Sequence, residues 1–436
     1  MDKLKKAGGR FYWTVAKSLP LVLFALPAVA YTPVPDSLSV PVLPENLYSG
    51  ADDSAVEGMV TLFLEGTVGF QYRGNIFSAP AGATTGDLVL TMAPRAKIKI
   101  NTGDVRGDVT LGMDYDKYLQ NSDNDQLDLF LRANTRFQVS DTLAISAKAA
   151  IERDQSSISY NADPAMMAIE PKTALNLNGE VGVEYDNGST KVSGKVGLDL
   201  RNYGGIQATA DPINNINTDL QDRTRIYANV EVGRAMSRQS DVIGGVDLQI
   251  TSYPNQDPLQ PSRNSTQFEP YAGIKYTSRS GEFEAEARLG LAFRLFSAAE
   301  FETKFTPTLH ASIAWTPNRG NFSLFAETDT SLKETQSAGV GAVVAQTFEV
   351  GAKFRPSDRF ELGVGVTGSY EVAKKSDFFG GESDSNFSLG ASVDARYYFY
   401  DNFFVETSAF IEQNFASASA GDYMDYGIGL QVGMQY

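Results

Sequence analysis

From residue 57 to residue 436 the chain alternates apolar and polar side chains with a period of two. In "VTLFLEGTVGFQY", Val60, Leu62, Leu64, Val68, Phe70 and Tyr72 share one side of an extended strand, while Thr61, Glu65, Thr67 and Gln71 share the other. "LVLTMAPRAKIKI" repeats this with Leu88, Leu90, Met92, Ala96, Ile98 and Ile100 opposite Arg95, Lys97 and Lys99. The last stretch, "MDYGIGLQVGMQY", sets Met424, Tyr426, Ile428, Leu430, Val432, Met434 and Tyr436 against Asp425, three glycines and two glutamines. The pattern predicts about eighteen strands of roughly ten to fifteen residues, the length a tilted membrane strand needs. They centre near Val68, Pro94, Val109, Leu131, Ala147, Val181, Val196, Val230, Val246, Ala272, Leu289, Ala311, Leu324, Val350, Val364, Ala391, Ala409 and Leu430.

Connections alternate in length. Short ones such as "NTGD" (101–104), "DNGS" (186–189) and "SRSG" (278–281) carry turn residues, and longer polar loops such as 154–173, 202–221 and 254–267 lie between them. This asymmetry predicts an all-β fold, a transmembrane antiparallel β-barrel of about 18 strands, or 16, with short turns periplasmic. The apolar face meets lipid, because a barrel this wide could not fill an apolar interior with side chains. That face carries no mid-strand charge. Tyr72, Tyr185, Tyr276, Trp315, Phe354, Tyr370, Phe399 and Tyr436 sit toward its ends, as interfacial girdles do.

Composition changes this picture at the N-terminus. Lys3, Lys5, Lys6 and Arg10 precede "LPLVLFALPAVA", and Ala28-Val29-Ala30 matches a small-x-small cleavage site, so residues 1–30 are predicted to be an export signal. Residues 31–56, with Pro33, Pro35, Pro41 and Pro44, are then a periplasmic lead or a segment tucked into the lumen. The net charge of −16 disfavours nucleic acid as a partner, and the absence of Cys removes disulfide and thiolate chemistry. The expected location is the bacterial outer membrane. Lipid and lipopolysaccharide are the expected surroundings.

Candidate chemistry is sparse. "GVGVTG" (363–368) fits G-x-G-x-x-G but lies within a strand with no helix after it. His310, the only histidine, points inward and has neither a second His for a metal site nor a nucleophile context. No catalytic residue, metal site or cofactor is expected. The acidic loops "NSDNDQLD" (121–128) and "GGESDSN" (380–386) read as solvated, although carboxylates there could hold divalent ions. Met166, Met167 and Ile169 form an apolar run in a long loop, a candidate constriction inside the lumen.

Charge lies on the inward faces. Arg95, Lys97, Lys99, Arg106, Arg132 and Arg136 fall on strands two to four, and Lys191, Lys195, Arg201, Arg223 and Arg225 on seven and eight. Later strands carry Glu327, Asp329, Glu349, Glu361, Asp394, Glu406, Glu412 and Asp425. Two readings stand: local salt bridging, such as Lys195 with Glu180 or Glu184, or a field across a pore.

"YRGNIFSAPAGATTGDLVLTMAPRAKI" (72–98) resembles the start of a β-barrel porin family often encoded beside exopolysaccharide clusters, with Tyr72, Asn75, Ile76, Phe77, Asp87 and Pro94 in the matching positions. Arg73-Gly74 departs from the acidic pair usual there. "FRPSDRFELGVGVTGSYEVAKK" (354–375) and the strands after it resemble that family too. The resemblance implies an outer-membrane barrel and polysaccharide passage, and supplies no catalytic residue. A final aromatic, Tyr436, also resembles the signal read by the barrel-assembly machinery. The expected function is a porin-like channel for passive passage of small polar solutes. The alternatives are an exopolysaccharide conduit, which would use inward aromatics such as Phe63, Phe130, Tyr227, Phe325, Tyr398, Phe404 and Phe410, and a structural or adhesive barrel sealed by its loops.

Overall fold

The computed structural model describes residues 59–80, 82–156, 171–204, 221–255, 261–317, 321–333, 340–375, 383–416 and 422–436. The export signal, the lead segment and Met166, Met167 and Ile169 lie outside the described residues. Eighteen antiparallel strands form one sheet: β1 (Met59–Arg73), β2 (Asp87–Asn101), β3 (Val105–Tyr118), β4 (Gln126–Ser140), β5 (Leu143–Ser156), β6 (Lys172–Asp186), β7 (Thr190–Tyr203), β8 (Arg223–Ala235), β9 (Ser240–Ser252), β10 (Ser265–Thr277), β11 (Phe283–Phe296), β12 (Lys304–Trp315), β13 (Phe322–Lys333), β14 (Val340–Ser357), β15 (Phe360–Lys375), β16 (Ser383–Tyr400), β17 (Phe403–Ala416) and β18 (Tyr423–Gln435). Each strand pairs with its sequence neighbours, and β1 pairs with both β2 and β18, so the sheet closes on itself. All eighteen expected centres fall inside these strands. Among the described residues there is no α-helix, and a 3-10 turn covers Ser122–Asn124.

Closure uses the last residue. Leu64 and Tyr436 exchange both backbone hydrogen bonds at 2.7 Å, and the register runs from Glu65 opposite Gln435 to Arg73 opposite Gly427. A closed ring leaves no strand edge, which is what a sheet in lipid requires. Strands spaced about 4.8 Å apart and tilted about 40° give an 18-strand barrel a backbone radius of about 18 Å.

The outward faces are apolar and bare. Val60, Leu62, Val68 and Phe70 of β1, and Ile428, Leu430 and Val432 of β18, are all exposed. Described charges of outward parity stay at strand ends, with Lys117 and Arg153 toward the long loops and Arg234 toward the short turns. Aromatic rings contact one another in two bands. Tyr276–Phe283, Trp315–Phe322 and Phe399–Phe403 flank short turns, with centroids 5.8–6.1 Å apart. Tyr72–Tyr426, Phe293–Phe305 and Phe387–Phe415 lie at the opposite end, 5.1–6.4 Å apart. These bands are the girdles, and the apolar zone between them is the lipid belt.

The short turns owe their geometry to local chemistry. In 186–189, Gly188 takes φ +82°, a region hostile to side chains, while Asp186 Oδ1 accepts from the Gly188 amide at 2.7 Å and Asn187 Oδ1 from the Thr190 amide at 2.8 Å.

Candidate functional site: the lumen wall

Alternation turns the polar faces inward, and antiparallel register decides which charges meet. Arg95 pairs with Asp114 at 3.3 Å and Lys97 with Asp108 at 3.7 Å. Lys99 lies 5.0 Å from the centroid of the Phe63 ring. Arg132 meets Glu152, and Arg136 meets Glu184. Arg106 stands opposite Arg136 in the register, so that cross-strand pair is like-charged. Glu180 receives both Lys148 at 3.2 Å and Lys195 at 3.7 Å, and Asp199 receives Arg223 at 3.2 Å and Arg225. Lys191 reaches Asp241 at 2.8 Å. Basic side chains of strands two to eight therefore meet counter-charges one or two strands away.

The later strands are mixed. Glu361 holds Lys353 at 2.8 Å and Arg355 at 3.4 Å, and Glu406 accepts from Arg396 and from Gln431, each at 2.6 Å. Asp394 closes over Gly363, the first glycine of "GVGVTG", so that motif is crowded wall. A different arrangement surrounds His310. Its Nδ1 lies 3.8 Å from both Glu327 and Asp329, and Glu327 stands opposite Glu349. Arg288 of β11 stands opposite His310 on its other side. Among the described residues no group of three or more His, Asp or Glu side chains is placed to hold a metal ion.

The inward aromatics are committed to the wall. Each of Phe130, Tyr227, Phe325, Phe404 and Phe410 stands in register with a glycine of the neighbouring strand: Gly112, Gly197, Gly351, Gly433 and Gly427. A Cβ on Gly112 would lie 2.2 Å from the Phe130 ring, and one on Gly433 2.3 Å from Phe404. The rings thus lie flat where a side chain is missing, an arrangement that pins register. Guanidinium groups lie over three of them, Arg132 over Phe130 at 4.4 Å, Arg396 over Phe404 at 4.3 Å and Arg73 over Phe410 at 6.0 Å. Rings capped in this way offer no open face to a sugar.

Residues outside the expected site organise the mouth at the long-loop end. Arg73 donates to Asp425 at 2.9 Å and to the Tyr118 hydroxyl at 3.3 Å. The Asn75 amide donates to the same carboxylate, while its side chain donates to the Met424 and Ala79 carbonyls and accepts from the Ala79 amide. Asp87 accepts from the amides of Leu88, Gln120 and Asn121 and from the Asn121 side chain. Ile76 packs on Val89 and Tyr118, both of inward parity, with Phe77 beside it. The first long loop is therefore folded inward and tied across the β1–β18 seam. Asn75, Ile76, Phe77 and Asp87 were visible as a motif, but their work depends on Asp425 and Tyr118, which no local pattern connects to them. In 121–128, Asp125 is taken by Lys117 and the Tyr118 amide, and Asp128 by the Gln155 amide.

Similar solved structures include the outer membrane protein OpdK from Pseudomonas aeruginosa, at 11% identity over 86% of this chain and 99% of that one, with a TM-score of 0.45. The outer membrane channel DcaP of Acinetobacter baumannii matches at 10% identity, 87% and 100% coverage, and TM-score 0.44. The copper transporter OprC matches at 12% identity, 87% and 81% coverage, and TM-score 0.46. Comparison with curated proteins finds no match. Residues 58–436, the whole of the barrel, match a porin family of the bacterial outer membrane. With its closed ring of eighteen strands, apolar outside and charged inside, the chain belongs to the family described as "Putative beta-barrel porin 2".

Proposed function

We propose that the protein is a passive channel through which small polar solutes cross the outer membrane. One observation carries this reading. The inward side chains of Arg132, Lys148 and Lys191 are 55%, 52% and 53% exposed, although each belongs to a strand of a closed barrel. Inward charge is exposed only where the lumen has room for water, and barrels of 16–18 strands leave an aqueous channel. Local pairing keeps the field across the lumen weak, so selection rests on size and on a modest preference for cations. The negative wall around His310, Glu327, Asp329 and Glu349 supports that preference.

The reading assigns no catalysis. Residues 1–30 direct export, residues 31–56 form the lead, and the β18 strand ending in Tyr436 is what the assembly machinery engages. The outer rim faces lipopolysaccharide. A polysaccharide conduit is the weaker reading, because the rings of Phe130 and Phe404 are sandwiched between glycine and guanidinium. The purified protein in planar bilayers tests this directly. Stepwise ohmic currents with a cation-selective reversal potential are expected, and silent bilayers containing folded protein reject the channel.

A further inference from the structure

Between β12 and β13 the ladder ends well before either strand does. β12 pairs with β13 only from Leu309–Thr330 to Trp315–Leu324, although both strands continue toward the long-loop end. The next hydrogen-bonded pair in this register would be Pro307 with Leu332. The Thr316 amide donates to Glu282 of the β11 side, so even-numbered residues of β12 bond β11 and odd-numbered ones face β13. Pro307 therefore turns a nitrogen without hydrogen toward the Leu332 carbonyl. The ladder stops there for a chemical reason.

Beyond that point β13 parts from β12 while staying paired with β14 as far as Lys333–Val343. Leu332 has the parity of a lipid-facing residue, yet it is buried against Ala292 of β11, which faces inward, with Phe296 and Val344 packed on the same cluster. Thr306 and Thr308, on the inner face of β12, are buried, while Phe305 on its outer face is exposed. An outward-parity leucine can touch an inward-parity alanine two strands away only if the end of β13 lies inside the barrel. Arg294 fastens it there. Its guanidinium is buried, donates to Gln267 of β10 at 2.6 and 2.9 Å, and reaches the Leu332 carbonyl at 3.3 Å. Arg294 thus supplies the donor that Pro307 lacks.

We propose that the ends of β13 and β14, at Ser331–Lys333 and Ala342–Ala345, form a latched constriction that Arg294 holds across the inner face of β11 and β12. When the latch opens, β13 rejoins β12 and the passage widens. Leu332 then returns to the lipid face that its parity suits, so it is in apolar surroundings in both positions. Because Pro307 weakens the rejoined ladder, neither position dominates by backbone bonding alone. The constriction also stands across the lumen from the inward-folded first loop, since β11 and β12 are nine strands from β2 and β3 in the ring. This inference rests on the channel reading and names the element that sets its bore.

The test uses Ala292→Cys with Leu332→Cys in the full chain, which has no cysteine of its own. The pair is expected to cross-link under mild oxidation and to hold single-channel conductance at its low level. Reduction should restore transitions to a state at least twofold larger. Arg294→Ala, which removes the latch, and Pro307→Ala, which restores the missing donor to β12, should each favour the larger state and slow cross-linking severalfold. Failure to cross-link overturns the placement of β13, and equal conductance before and after reduction overturns its role as constriction. If no form conducts, the channel reading falls. Cross-linking still slowed by Arg294→Ala and Pro307→Ala would then support the latch, and an unchanged rate would reject it.

Discussion

Replacing Leu430 by Arg probes the lipid face at its most sensitive height. Leu430 is 60% exposed near the middle of β18, with Phe70 and Thr407 as its cross-strand neighbours, so an arginine there finds no carboxylate beside it. Tyr426 and Tyr436 bracket it on the same face, and at about 3.3 Å rise per residue and about 40° tilt they stand roughly 25 Å apart along the membrane normal, the height of a lipid belt. Leu430 thus lies within a few ångströms of the midplane, where an Arg costs about 2–4 kcal/mol. That is roughly a 30- to 700-fold shift in the folding equilibrium. Gln431→Arg is the control. Gln431 faces inward and donates to Glu406 at 2.6 Å, a role an arginine can take over. Urea titrations of both variants in liposomes, read by the gel shift of folded barrel, give the two free energies. Leu430→Arg should lose most of the predicted amount and Gln431→Arg little. Equal losses would refute the assignment of faces.

Three further outcomes are expected. Ser122→Cys, on the long-loop side, should react with a membrane-impermeant maleimide on intact cells, and Asn187→Cys, in a short turn, should not; the reverse pattern inverts the orientation. Asp425→Ala leaves Arg73 buried without its partner at the β1–β18 seam, so it should cost about 3–5 kcal/mol in the same urea assay, and a loss under about 1 kcal/mol would remove the network from barrel closure. Replacing Arg95, Lys97 and Lys99 together by Gln uncovers Asp114 and Asp108, so reversal potentials in a salt gradient should move toward stronger cation selectivity; an unchanged value places these side chains away from the ion path.

Much of this protein is written in a local code. A period of two needs no knowledge of distant residues, so the strands, their outward faces and the girdle positions follow from side-chain order along each segment. Turn chemistry is equally local, as the side chains of Asp186 and Asn187 with Gly188 illustrate. Width and the inside-out arrangement follow by elimination, because about eighteen strands enclose more volume than side chains can fill.

Pairing between strands is a different matter, and it governs the lumen. Basic residues collected from strands two to eight suggest a positive arc, but the carboxylates of Asp108, Asp114, Glu152, Glu180 and Asp199 lie on the same strands and meet them one strand over. Which charges touch is a property of register, and a shift of one residue would turn every side chain to the opposite face. The same holds for Phe130 on Gly112 and Phe404 on Gly433, where a ring and a gap meet only after two strands are aligned. Arg73 and Asp425 are brought together because the first and last strands close the ring. The inward fold of β13 is more distant still, for it combines a missing hydrogen at Pro307, a guanidinium from β11 and an apolar cluster spanning three elements. Alternation along a strand therefore determined the barrel and its faces, whereas the tertiary structure decided the charge pairing, the seam and the place of the β13 end, because these join residues that only long-range register brings into contact.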